Sequence, residues 1–206
     1  MQSLSSICSE IKGCKKCDLY FSRKTAVCGV GFQSADVMVV GEAPGSNEDE
    51  TGVPFVGRSG KLLDKMLMDT QMPRESVYIS NAVRCRPKIG RAPKITEIRK
   101  CSPFLKGEMD LIGPKFIIPM GNSALKSLGI VFKTDFGRVS EAWKKIYQIN
   151  DMFIFPQFHP AAILRNPKLF HTMKDRFDLI RNFREDFKNN KTRDYLAEKY
   201  GIVKIS

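Results

Sequence analysis

Asp36-Val-Met-Val-Val-Gly41 runs directly into Glu42-Ala-Pro-Gly45: an apolar stretch of strand length that stops at a sharp turn. Three more apolar runs, at residues 76–83, 115–121 and 152–157, have the same length and also end in small or turn-forming residues. Between the runs the periodicity is helical. Leu62, Leu63, Met66 and Leu67 mark one apolar face, and Ile95, Ile98, Leu105, Met109 and Ile112 mark another. Strands that alternate with helices predict an α/β fold, with a mostly parallel sheet covered on both faces. Ligands of such sheets sit at the carboxyl ends of the strands. The four runs end at Gly41, near Asn81, at Gly121 and just before His159, so three of them lead into polar motifs. That convergence predicts the pocket.

The chain has 206 residues, enough for one domain with a sizeable core, and its 42% hydrophobic and 27% charged content is that of a globular protein. No apolar run approaches the length needed to cross a bilayer. Residues 1–12 lack the basic start and apolar stretch of a signal peptide, so a cytoplasmic location is expected. The net charge of +12, from 34 Lys and Arg against 22 Asp and Glu, favours phosphate backbones. A basic surface also serves solubility, so charge alone does not decide. No basic amphipathic helix is set apart for a membrane surface. The last stretch, residues 183–206, is charge-rich; Asp194 to Tyr200 suits a helix of unassigned role.

Six cysteines in a chain expected to be cytosolic argue for a metal or cluster site over a disulfide framework. Cys14 and Cys17 form a C-x2-C pair, and Cys85 and Cys101 lie far along the chain. Four thiolates from two places suit zinc or an iron–sulfur cluster. Zinc ribbons usually supply two C-x2-C knuckles, and the missing second knuckle favours a cluster. Cys8 and Cys28 are expected to be free thiols.

Singly, the pocket motifs are bland. Gly41 to Gly45 is a tight turn able to aim backbone N–H groups at a ligand; no Gly-Lys-Ser/Thr follows, so it is not a phosphate loop. Glu42, between a strand and a Pro-Gly turn, is a candidate acid or base, whereas Asp49 and Glu50 suit helix capping. Phe55 sits in a Gly-rich loop, where it would stack on a base or pack in the core. Asn81 both donates and accepts hydrogen bonds, as reading a base edge requires. His159 follows the fourth run in Phe158-His-Pro-Ala-Ala162, and the other histidine, His171, has no comparable context.

Together these segments resemble the family 4 uracil-DNA glycosylases. The matching pieces are Gly-Glu-Ala-Pro-Gly (41–45), Glu48-Asp49, Gly-Val-Pro-Phe-Val-Gly (52–57), Ser-Asn-Ala-Val-Arg-Cys-Arg-Pro (80–87) and Phe-His-Pro-Ala-Ala (158–162). Cys14, Cys17, Cys85 and Cys101 match the family's four cluster ligands in order and spacing. The resemblance spans about residues 7–183 of one glycosylase domain, with 184–206 as a charged extension. It implies a three-layer α/β/α sandwich around a four-stranded, mostly parallel sheet, and a structural [4Fe-4S] cluster. It also implies hydrolysis of the N-glycosidic bond of deoxyuridine in single- or double-stranded DNA, releasing uracil, leaving an abasic site and initiating base excision repair. Relatives that bind uracil covalently carry a longer, His-bearing insertion after the Asn strand. Residues 86–93 are short and lack His, which favours hydrolysis.

The resemblance also distributes roles. Gly41, Glu42, Ala43, Glu48, Phe55, Asn81 and His159 would bind the base, with Glu48 where thymine carries its methyl group. His159 would stabilise the uracil anion, with backbone N–H groups near Ala43, and Glu42 would position water or stabilise the sugar cation. Arg86, Arg91 and Arg165 would meet DNA, and Ile163 or Leu164 would wedge into the base stack. A monomer is expected. The rival readings are a non-catalytic nucleic-acid-binding protein with a zinc or cluster fold, which does not need Glu42 and His159 facing one pocket, and a redox protein, which leaves the Asn81 and His159 motifs unexplained.

Overall fold

A computed structural model describes residues 2–88 and 91–205. Ile89 and Gly90, part of the predicted 86–93 loop, lie outside the described residues, as do Met1 and Ser206. Seven strands form one sheet: β1 (Val30–Gly31), β2 (Val37–Gly41), β3 (Tyr78–Asn81), β4 (Phe116–Pro119), β5 (Ile146–Ile149), β6 (Met152–Ile154) and β7 (Ile202–Ile205). Their order is β1-β3-β2-β4-β6-β5-β7. The neighbouring strands β3, β2, β4 and β6 are mutually parallel and coincide with the four predicted runs.

The expectation of four strands is corrected to seven. β1 adds antiparallel to β3, β5 folds back antiparallel on β6, and β7 runs parallel to β5. The three unpredicted strands lie at or next to the edges of the sheet, and β1 has only two residues.

Nine helices lie among the described residues: α1 (Leu4–Gly13), α2 (Ser46–Thr51), α3 (Arg58–Asp69), α4 (Ile95–Ile112), α5 (Asn122–Phe132), α6 (Val139–Ala142), α7 (Pro160–Arg165), α8 (Leu169–Lys188) and α9 (Arg193–Tyr200). Successive strand residues point to opposite faces, and the core divides accordingly. Val37, Val39, Ile79, Phe116 and Phe153 pack with Leu63 and Met66 of α3 and Phe177 and Phe183 of α8. Met38, Val40, Tyr78, Ile117 and Ile154 pack with Leu105 and Met109 of α4 and Leu125 and Leu128 of α5. Burial on both faces is why the parallel strands read as unbroken apolar runs.

A third cluster joins Ile7 and Ile11 of α1 to Val83, Ile98 and Phe104. Here a second expectation fails. Cys8 and Cys28 are joined by a disulfide with their Cα atoms 5.4 Å apart, and are not free thiols. The two cysteines lie 20 residues apart, and only the fold of α1 beside the approach to β1 brings them together.

Candidate active site

β2 and β3 pair in parallel with Gly41 directly beside Asn81, so both strands deliver their last residue to one edge of the sheet. Gly41 has no side chain for a physical reason. A Cβ there would stand 2.3 Å from Asn81 Oδ1 and 2.5 Å from the Phe55 ring. Glycine therefore lets the amide and the aromatic ring close over the strand end. Glu42, Ala43, Pro44, Gly45, Glu48 and Phe55 line an open pocket of about 310 Å³ with Asn81 and His159. That volume lies within the range of small-ligand sites. Ser46, Ser59, Arg86, Pro87, Lys88, Arg91 and Ala161 complete its wall and mouth.

Phe55 is buried and adopts φ 54°, a left-handed conformation that disfavours any side chain with a Cβ. Such strain persists only where the surroundings enforce it. Arg74, anchored on Asp64 at 2.8 Å, donates to the Phe55 carbonyl at 3.1 Å and to the Pro54 carbonyl. Gly60 leaves room for that carbonyl, since a Cβ would lie 1.8 Å from its oxygen. Glu48 braces the other side. Its Oε1 accepts from the Val56 and Gly57 amides, both at 2.9 Å, and its Oε2 accepts from Gly45 N–H at 3.0 Å. Glu48 thus lines the pocket while its carboxylate ties the first turn to the Phe55 loop. Nothing in the sequence marked Arg74, Asp64 or Gly60, because none lines the pocket: Arg74 and Gly60 act on the Phe55 carbonyl, and Asp64 acts through Arg74.

His159 is the N-cap of α7, and its Nδ1 accepts the Ala161 N–H at 3.1 Å. A backbone amide only donates, so Nδ1 is the acceptor and a neutral ring carries its proton on Nε2. Burial lowers the imidazole's pKa; the charge of Glu42 opposes that shift, Arg165 adds to it and Glu48 opposes it. The ring lies against Phe55, with centroids 5.8 Å apart. Glu42 Oε2 accepts from the Ser123 hydroxyl at 2.6 Å. Ser123, in the first turn of α5, is a site residue that the sequence reading missed; its only signal is its place just after the third strand run.

The predicted DNA-contact residues separate. Arg86 and Arg91 stand at the pocket mouth, but Glu97 holds Arg91 through two bonds of 2.7 and 2.8 Å. Ile163 is 3% exposed and packs in the core, whereas Leu164 is 46% exposed. Ile163 is therefore not available to DNA. Leu164 and Arg165 border a groove beside the pocket with Ser46, Arg58 and Ser59.

Cys14, Cys17, Cys85 and Cys101 are all free thiols and line a second, largely apolar pocket with Ile11, Leu19 and Phe104. Arg23 Nη1 lies 3.0 Å from Cys85 Sγ. Among the described residues no three or more His, Cys, Asp or Glu side chains are grouped closely enough to hold a metal ion. No described helix is long and apolar enough to cross a membrane.

A family model for the uracil DNA glycosylase superfamily matches residues 28–188. The chain is 40% identical over 188 residues to a type-4 uracil-DNA glycosylase of Sulfurisphaera tokodaii, covering 88% of this chain and 84% of that protein. It is 38% identical to the type-4 enzyme of Archaeoglobus fulgidus, covering 87% of this chain and 92% of that one. The type-4 enzyme of Saccharolobus solfataricus is 37% identical, with 88% and 86% covered.

Proposed function

The chain belongs to the uracil-DNA glycosylase superfamily, among its type-4 members, and on that premise we propose how its own residues excise the base. The protein is a DNA glycosylase: it hydrolyses the N-glycosidic bond of deoxyuridine in DNA and so starts base excision repair. A target base within a duplex must leave the stack to be reached. The extruded uracil stacks on Phe55. Asn81 donates to O4 and accepts from N3–H, a pattern that cytosine presents in reverse. A cytosine would leave buried polar groups unpaired, a penalty that discriminates strongly. Leu164 fills the gap in the stack, and Arg86 and Arg165 meet the phosphates.

As the bond breaks, negative charge gathers on uracil O2 and positive charge on the sugar. His159 offers its Nε2–H to O2, with its ring orientation fixed by the Ala161 amide. A donor held in place before reaction costs no reorganisation in the transition state. Glu42, steadied by Ser123, faces the sugar and the attacking water. The observation that carries this reading is the meeting of Gly41, Phe55, Asn81 and His159 around one pocket.

The four free cysteines line one apolar pocket and are the residues that would hold a [4Fe-4S] cluster, which takes four thiolates. When bound, the cluster would cross-link the Cys14–Cys17 turn to Cys85 and α4, a structural task remote from the bond that breaks. In Cys85, four residues beyond Asn81, the cross-link would hold the start of the basic loop at the pocket mouth.

Exchange of the Asn81 amide for a carboxyl tests the base-reading role. Asn81→Asp should excise uracil more slowly than wild type and gain measurable release of cytosine from matched oligonucleotides. Wild-type uracil release by that variant would contradict the assignment.

A further inference from the structure

Beside the cysteine pocket lies a surface that the excision chemistry does not use. Phe21 is 74% exposed, more than any other large apolar side chain among the described residues. Its ring lies against Tyr20 with centroids 3.9 Å apart, and Tyr20 lines the cysteine pocket. One exposed Phe on a protein surface calls for no explanation by itself. This one sits within residues 12–24, which hold Lys12, Lys15, Lys16, Arg23 and Lys24 against a single acid, Asp18. Arg23 is engaged with Cys85 Sγ and the Lys12 carbonyl, and Lys24 pairs with Glu50. Lys12, Lys15 and Lys16 of the same segment are exposed, the Lys16 ammonium lying 4.8 Å from the centre of the Phe104 ring.

The segment is fastened to two walls of the uracil pocket. On one side the Lys24 N–H donates to Asp49 Oδ1 at 3.0 Å. Asp49 belongs to α2, whose Ser46 and Glu48 line the pocket. On the other side Cys17 shares its pocket with Lys100 and Cys101 of α4, and the first turn of α4 holds Arg91 through Glu97. The segment that bears Lys16 and Phe21 is therefore tied to the elements that line the uracil pocket, whose wall also carries Arg86, Lys88 and Arg91.

We propose that Phe21, backed by Tyr20 and flanked by Lys12, Lys15 and Lys16, is a docking strip for an unpaired stretch of the DNA strand that carries the uracil. An aromatic face among cations suits single strands, since every base has a π-face and every nucleotide a phosphate. A base within a duplex already has both faces covered, so the strip favours single-stranded flanks. The excess of cations, on a segment tied to the pocket's own walls, selects the flanking strand over a protein partner. The inference rests on the reading of the chain as a uracil-DNA glycosylase but not on the roles of Asn81 or His159.

The test compares wild type, Phe21→Ala and Phe21→Trp in uracil excision. The substrates are a minimal single-stranded oligonucleotide, two single strands extended only 5′ or only 3′ of the uracil, and a duplex. Phe21→Ala should lose about tenfold in kcat/KM on one of the two extended single strands. It should match wild type on the minimal strand and the duplex, and Phe21→Trp should restore the loss. Lys15→Gln and Lys16→Gln should each lower the salt slope of binding to that strand by about 0.7. Equal activity of Phe21→Ala and wild type on both extended strands would overturn the proposal. So would an equal loss on the minimal strand, which would mark Phe21 as a support of the fold. Absence of uracil release by wild type on every substrate would instead count against the glycosylase reading.

Discussion

His159 uses its two ring nitrogens for different tasks, and the division decides its protonation. Nδ1 accepts the Ala161 amide, so a neutral ring has its proton on Nε2, toward the pocket. Burial is the first cause of its lowered pKa, which means that the native ring takes up a proton less readily than the unfolded one. Below the unfolded value of about 6.5 the unfolded chain therefore binds more protons. The neutral ring's contribution to stability is present above that pH and is lost as pH falls toward the native value. Thermal melting from neutral pH downward should accordingly be steeper for wild type than for His159→Gln just below about pH 6.5. Parallel curves would remove the burial argument. Glu42 is sharpened at the same scale: the sequence placed an acid at the turn, and the fold gives it a Ser123 hydroxyl at 2.6 Å.

Elements divide into those legible in sequence and those not. β2, β4 and β6 could be read because both of their faces are covered and their residues stay apolar without alternation, whereas β3 is buried throughout but ends in Ser80 and Asn81. β1 has two residues, too few to show a period. β7, Ile-Val-Lys-Ile, shows no period of its own at the end of a charged tail, and only its pairing with β5 explains it. The helix expected from Asp194 to Tyr200 is α9, and its Leu196 packs with Phe183 and Ile202 in the core. Phe55, Asn81 and His159 could be read as strand-end or loop residues. Their supports could not: Arg74, steadied by Asp64, binds the Phe55 carbonyl 19 residues back along the chain, and Gly60 only leaves room for it. The choice between Ile163 and Leu164 depends on the rotation of a six-residue helix, which is set by packing against α3 and α8. No period in so short a run could decide it.

At the scale of the molecule, a covalent cross-link pins the N-terminal segment. The Cys8–Cys28 bond joins α1 to the approach to β1, while the four remaining cysteines surround their own pocket. Compartment and composition argued against any disulfide, and that argument has no access to spatial proximity. Closing a loop of this length restricts the unfolded chain by about 3 kcal/mol. Chemical denaturation should therefore show Cys8→Ser less stable by about that amount, with uracil excision unchanged under native conditions. Equal midpoints for the variant and wild type, both without reductant, would refute the staple. The opposite end of the chain is fastened too: Arg184 of α8 grips Asp36, at the entry to β2, through two bonds of 2.9 Å. Both termini thus brace the sheet whose carboxyl edge carries the pocket.

The central claim is that this edge removes uracil from DNA by holding the leaving base's anion. The most direct measurement is single-turnover release of free uracil from a single-stranded oligonucleotide by wild type and His159→Ala, with substrate affinity measured alongside. Loss of one anion-stabilising donor should slow release by about a hundredfold or more at little cost in affinity. Wild-type release by His159→Ala would contradict the account.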